Sequence, residues 1–138
     1  MTRRLVIITV AVATAALVSG CGSSSGGAKD GGSATASTAD GVQQITVKAG
    51  DDFRFDPATI TVHPGKVKIT LVNTGAAGQG APHNLQLPSL PAGDWVPLTS
   101  AGQSASVTFE TPAPGTYQFV CSIHERQGQV GELVVLPS

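Results

Sequence analysis

The chain has 138 residues, 41% of them hydrophobic and 12% charged, with 17 glycines, 9 prolines and a formal net charge of −1. That length suits one domain of ordinary size, and the near-neutral balance without a basic stripe excludes nucleic acid as an expected partner. Short apolar runs between Gly and Pro breaks favour an all-β domain over a helical one.

Residues 1–20 read as an export signal. Arg3 and Arg4 give a positive start, and Leu5–Val18 is an apolar and small-residue run of 14 residues. A membrane-spanning helix needs about 20, so the run fits a signal better than a span. It ends in Val18-Ser19-Gly20-Cys21, which resembles a bacterial lipoprotein signal, with Val18 where Leu is usual. The resemblance implies lipid on Cys21 and a domain anchored at the extracytoplasmic face of the bacterial cell membrane. Thr2-Arg3-Arg4-Leu5 also brushes against a twin-arginine signal, but paired basic residues are common in any signal of this kind, and the general (Sec) route is the expectation. Residues 21–41 are Gly, Ser, Ala and Thr with few charges and no periodic apolar face, the composition of a flexible tether. The folded domain is therefore expected over residues 42–138, where five basic and seven acidic residues give a net charge of −2.

The domain opens with Val42, Ile45 and Val47, then Phe53 and Phe55 alternating between turns at Asp51-Asp52 and Asp56-Pro57. Thr59–Val62 alternates, and His63-Pro64-Gly65 reads as a turn with His63 exposed. Lys66–Leu71 has the cleanest period of two: Val67, Ile69 and Leu71 point one way, Lys66, Lys68 and Thr70 the other. This predicts a half-exposed strand of an antiparallel sheet. After a Gly- and Ala-rich loop, His83, Leu85 and Leu87 share a face. Pro88–Thr99 reads as irregular, with Trp95 plugging one end of the core. Ser104–Glu110 places Val107 and Phe109 inward. Tyr117, Phe119 and Cys121 alternate, and Val130–Leu136 is a last strand. About eight strands with regular turn signals predict a Greek-key β-sandwich.

The chemistry concentrates in one loop. An exported chain sits where disulfides persist, yet with Cys21 lipidated, Cys121 has no partner, and a lone exported thiol is either well buried or bound to something. His124 lies three positions on, and Gln129 adds an amide oxygen. Alone, His83 would read as a satisfied core histidine. Beside Cys121 at the inward end of a strand it becomes a candidate ligand. Thiolate favours Cu(I) and imidazole suits both copper states, so two His, one Cys and a weak axial donor make an electron-transfer set. Zinc fits this donor set poorly, and a thiol hydrolase lacks a third orienting group.

Several motifs together resemble the cupredoxins, blue copper proteins of the plastocyanin and azurin kind. They are Phe55-Asp56-Pro57, Ile60-Thr61-Val62, Gly65-Lys66-Val67, Asn73, Pro82-His83-Asn84, Gly115–Cys121 and Cys121-Ser122-Ile123-His124 followed by Gly131. The resemblance implies an eight-stranded sandwich with one copper ion cycling between Cu(II) and Cu(I), held by His83, Cys121 and His124. It implies that Asn84 ties the two ligand loops together through Ser122. The family's usual axial Met is Gln129 here, as in stellacyanin-like members, which assigns the axial role to its side-chain oxygen. The resemblance further implies an electron carrier, not an enzyme, exchanging electrons through an apolar surface at the second histidine. Its partners would be redox proteins of the same membrane face, such as a cytochrome or a terminal oxidase, and the domain is expected to be a monomer. Two other readings stand beside this one: a copper carrier or metallochaperone supplying an extracytoplasmic oxidase, and a binding lipoprotein whose Cys and His are structural.

Overall fold

The computed structural model describes residues 31–91 and 95–138. The export signal, Cys21 and the first part of the expected tether lie outside the described residues. Eleven strands are present among the described ones: β1 (Ser33–Thr35), β2 (Ser37–Ala39), β3 (Val42–Ala49), β4 (Phe55–Asp56), β5 (Thr59–Val62), β6 (Lys66–Asn73), β7 (His83–Leu85), β8 (Val96–Thr99), β9 (Ser104–Glu110), β10 (Gly115–Val120) and β11 (Val130–Val135). No helix among them is long and apolar enough to cross a membrane.

The alternation in β6 sets the inner face of one sheet. Val67, Ile69 and Leu71 are fully buried, while Lys66 is exposed and Lys68 and Thr70 half-buried. Each such aliphatic side chain, taken from water to the core, contributes about 1.5–3 kcal/mol before entropy is counted. The sheet runs β2-β3-β6-β9, with β4 also on β3. It is mixed rather than purely antiparallel: β6 pairs antiparallel with β9 but parallel with β3. The facing sheet runs β1-β5-β11-β10, with β11 antiparallel to β10 and parallel to β5. Its inner residues Ile60, Val62, Phe119, Leu133 and Val135 pack on Val47, Phe55, Val67, Ile69 and Leu71 in one cluster. Phe55 meets Phe119 edge-on, their rings 5.1 Å apart, a favoured aromatic geometry. The chain crosses between these two sheets from β4 to β5, from β5 to β6 and from β9 to β10, while β7 and β8 pair in a separate two-stranded ladder; the β-sandwich is the one expected.

Two stretches depart from the expectation. Residues 33–39 belong to the stretch read as tether, yet they form β1 and β2. β1 pairs parallel with β5, β2 pairs antiparallel with β3, and the Ala36 amide between them donates to the Thr61 carbonyl at 3.0 Å. One short segment thus lines an edge of each sheet. The cause is backbone pairing along exposed edges, which needs no apolar side chains. The second departure is β8, in the stretch read as irregular. It pairs with β7, His83 opposite Thr99 and Leu85 opposite Val96. Trp95 is half-buried and donates its indole N–H to the Leu87 carbonyl at 2.9 Å.

Candidate metal centre

β10 carries the buried Phe119 and Val120 into Cys121, and the chain then leaves the sheet. The loop that follows closes on itself. The His124 amide donates to the Cys121 carbonyl at 3.1 Å, the Gln129 amide to the His124 carbonyl at 3.2 Å, and the Cys121 amide to the Gln129 carbonyl at 3.1 Å. A 3₁₀ turn spans Glu125–Gln127 and ends at Gly128 with φ 91°, a left-handed backbone that favours glycine. Cys121, His124 and Gln129 are in this way held at one point by main-chain bonds.

His83 arrives from the other side. Beyond β7, Gln86 and Val120 exchange both backbone hydrogen bonds at 2.9 Å, which draws the β7 segment against the end of β10. Asn84 and Ser122 complete the link: Asn84 Nδ2 donates to Ser122 Oγ and the Ser122 amide donates to Asn84 Oδ1, each at 2.9 Å. Upstream of His83, the buried side chain of Asn73 is a hub. Its Nδ2 donates to the carbonyls of Ala81 (2.8 Å) and Thr99 (3.0 Å), and its Oδ1 accepts from the Gly75 amide (3.0 Å). Asn73→Leu leaves these buried groups unmet, at about 1–3 kcal/mol each where water cannot reach them. The variant is expected to lose about 3 kcal/mol of stability in urea denaturation.

The three ligand-type side chains converge. One atom from each of His83, Cys121 and His124 lies within 4.8 Å of the others. Cys121 Sγ and His124 Nδ1 are 3.5 Å apart. Sulfur and nitrogen donors sharing one tetrahedral metal lie about 3.5 Å apart, given bonds of about 2.3 and 2.0 Å. Gln129 Oε1 stands 2.9 Å from His83 Nδ1, and its Nε2 is turned to the Arg54 carbonyl at a longer 3.5 Å. The amide oxygen therefore faces the cluster. Cys121, His83 and Gln129 are 0% exposed, and His124 is half-buried.

The environment suits a metal. His83 Nδ1 stands beside the Gln129 oxygen, and among the described residues its Nε2 is buried with no hydrogen-bond partner. Burial lowers the pKa of His83, as does the nearby His124. The bond to Gln129 and the charges of Asp51 and Asp52 oppose the shift without reversing it. The ring stays neutral near pH 7, the state in which imidazole binds metal. A soft sulfur, two imidazoles and an amide oxygen match copper better than calcium or magnesium, which take oxygen ligands.

Phe53 escaped the sequence reading. Alternation put it on the face of Phe55, but its φ is 55° and its ring turns to the histidines. It lies 4.6 Å from the His124 ring and 6.2 Å from the His83 ring, centroid to centroid. The adjoining acidic turn, Asp51-Asp52, was the only signal of a sharp change in direction. His63 lies apart, exposed in its turn.

Known proteins share the fold. The model of the Cupredoxin-like domain matches residues 8–135. The chain is 38% identical over 81 residues to auracyanin-B of Chloroflexus aurantiacus, covering 56% of this chain and 34% of that protein. It is 36% identical over 104 residues to chloroplastic plastocyanin of Physcomitrium patens, covering 65% and 56%. The match thus spans about a third of one curated relative and about half of the other. Among solved structures, auracyanin A, a "blue" copper protein from Chloroflexus aurantiacus, superposes with a TM-score of 0.59 at 27% identity, covering 69% of this chain and 99% of that one. The chain belongs to the cupredoxin-like family, and His83, Cys121 and His124 are its potential copper ligands.

Proposed function

We propose that this protein is a type 1 copper electron carrier. His83, Cys121 and His124 are its strong ligands, Gln129 Oε1 is its weak axial donor, and lipid on Cys21 holds it at the extracytoplasmic face of the cell membrane. The observation that carries this reading is the graded burial of the four donors. Three are sealed from solvent and only His124 reaches toward it, next to Ile123, which is 48% exposed. A substrate-activating metal site keeps an open position, whereas a carrier needs a closed site with one route to the surface. Copper bound there supplies a Cu(II)/Cu(I) couple. The protein's part is to hold the donors unchanged between the two states, which the Asn84–Ser122 pair and the closed Cys121–Gln129 loop favour. Weak docking at the Ile123 surface suits rapid exchange with a redox protein such as a cytochrome or terminal oxidase.

Visible absorption and electron-spin resonance of the copper-loaded protein test the reading. An intense thiolate-to-copper charge-transfer band with a reversible couple is expected. A protein that stays colourless with Cu(II) would refute it. Copper passed to an apo-oxidase without a usable couple would support delivery instead. Gln129→Met tests the axial assignment. The amide oxygen is a harder donor than a thioether and favours Cu(II), so the variant's reduction potential is expected to rise in voltammetry; an equal or lower potential counts against coordination by Gln129.

A further inference from the structure

Phe53 sits where the chain accepts an unfavourable backbone. A bulky residue at φ 55° is a steric outlier, and glycine would occupy the position more easily. The loop is nonetheless held firmly there. The Phe53 amide donates to the Gly50 carbonyl at 3.0 Å and the Thr74 amide to the Ala49 carbonyl at 2.8 Å. Asp51 Oδ1 accepts from the Ala81 amide at 2.8 Å, two residues before His83. On the other flank, the Arg54 carbonyl receives Gln129 Nε2. The two sides of Phe53 are thus tied to the two ligand-bearing segments, and its half-buried ring covers His124 and the edge of His83. Phe55 belongs to the core cluster of the sandwich, whereas Phe53 is not among the side chains in or packed against that cluster.

We propose that Phe53 is a shielding and positioning residue of the metal centre, a fixed lid that keeps water and competing ligands from the exposed side of His124 and biases the couple toward the reduced state. The proposal deepens the copper reading and rests on it. The physical cause is the local dielectric. An apolar shell controls solvent access and, with it, the reduction potential, and excluding water disfavours the more highly charged form. Reduction removes one positive charge from the centre, so the shield favours Cu(I). The ring also fixes the orientation of His124, the one donor that solvent can reach.

Phe53→Gly and Phe53→Leu test this in the full-length protein. Glycine accepts the left-handed backbone and removes the ring; leucine keeps apolar cover in the same strained position. Phe53→Gly is expected to fold, to retain the charge-transfer band, to show a lower reduction potential, and to lose Cu(I) to a chelator several-fold faster. Phe53→Leu is expected to recover most of both effects. In the copper-free protein, either variant is expected to shift the His124 ring-proton resonances by removing the ring current. An unchanged potential and chelation rate in Phe53→Gly, with the band intact, would overturn the proposal and leave the copper reading standing. A wild-type protein without the band would overturn the copper reading itself, and the His124 resonances would still report whether the ring covers it.

Discussion

Cys121→Ala is expected to abolish the visible charge-transfer band and to weaken Cu(I) binding by more than the roughly 100-fold that losing even an outer partner of a metal ligand costs. The thiolate is the soft donor of the set, and no other sulfur stands among the described residues. His83, His124 and Gln129 would remain as nitrogen and oxygen donors, with no path for sulfur-to-copper charge transfer. The fold should tolerate the change. Cys121 is fully buried at the end of β10, and trimming one sulfur from a core position costs about 1 kcal/mol. Copper binding, by contrast, stabilises the wild type by about 2.7 kcal/mol when free metal is a hundred times the dissociation constant. The expected pattern is a modest fall in melting temperature without copper and a large loss of the copper-induced rise. Differential scanning calorimetry with and without metal separates the two. A Cys121→Ala protein that still gains its full copper-induced rise would remove sulfur from the ligand set.

Gly131→Ala is expected to be the most damaging small substitution in the core. Gly131 lies in β11 opposite Phe119 in β10, and the Phe119 ring lies across it. A Cβ there would stand 2.3 Å from Phe119 Cζ, 2.4 Å from Phe119 Cε2 and 2.6 Å from the Ala58 carbonyl oxygen. The ring has no room to retreat, because Phe119 is 0% exposed and packs edge-on against Phe55. The Ala58 carbonyl cannot move away without straining its bond to the Glu132 amide, 2.8 Å long. Overpacking of this kind costs about 3 kcal/mol, read as a lower denaturant midpoint. The damage would reach the centre, since Phe119 lies two residues before Cys121. Adding Phe119→Leu should restore part of the loss, and the coupling in that double-mutant cycle measures the clash directly. Additive losses would show that the ring is not the obstacle.

What the sequence reveals depends on whether a residue's role is written in its own side chain. β6 is legible because Val67, Ile69 and Leu71 alternate with polar residues, and that period has one structural meaning. The cluster of His83, Cys121 and His124 is legible because sulfur and imidazole are scarce in this chain and their spacing repeats a family pattern. β1 and β2 are not legible. Ser33–Thr35 and Ser37–Ala39 bury almost nothing and are held by main-chain bonds to edges that exist only once the sandwich has formed. β8 is hidden by Pro97, which argues against a strand in the middle of a sheet. It pairs with β7 alone, so no second neighbour needs the missing N–H. Phe53 is hidden for a different reason: strand alternation places it on the face of Phe55, and its own left-handed backbone redirects it to the two histidines.

The position of β11 bears on when the molecule can form. It is the last strand in the chain, yet it is not at a rim: it lies between β5 and β10, pairing Glu132 with Thr59 on one side and Val120 with Val130 on the other. Until residues 130–135 are available, β5 and β10 have nothing to bridge them. Contacts between segments so far apart in sequence are slow to form, because the loop they close must be ordered first. The sandwich therefore cannot close before residues 130–135 join it. The loop from Cys121 to Gln129 leads directly into this strand, so its donors settle at the same final step. Metal capture would then follow closure of the sandwich rather than precede it.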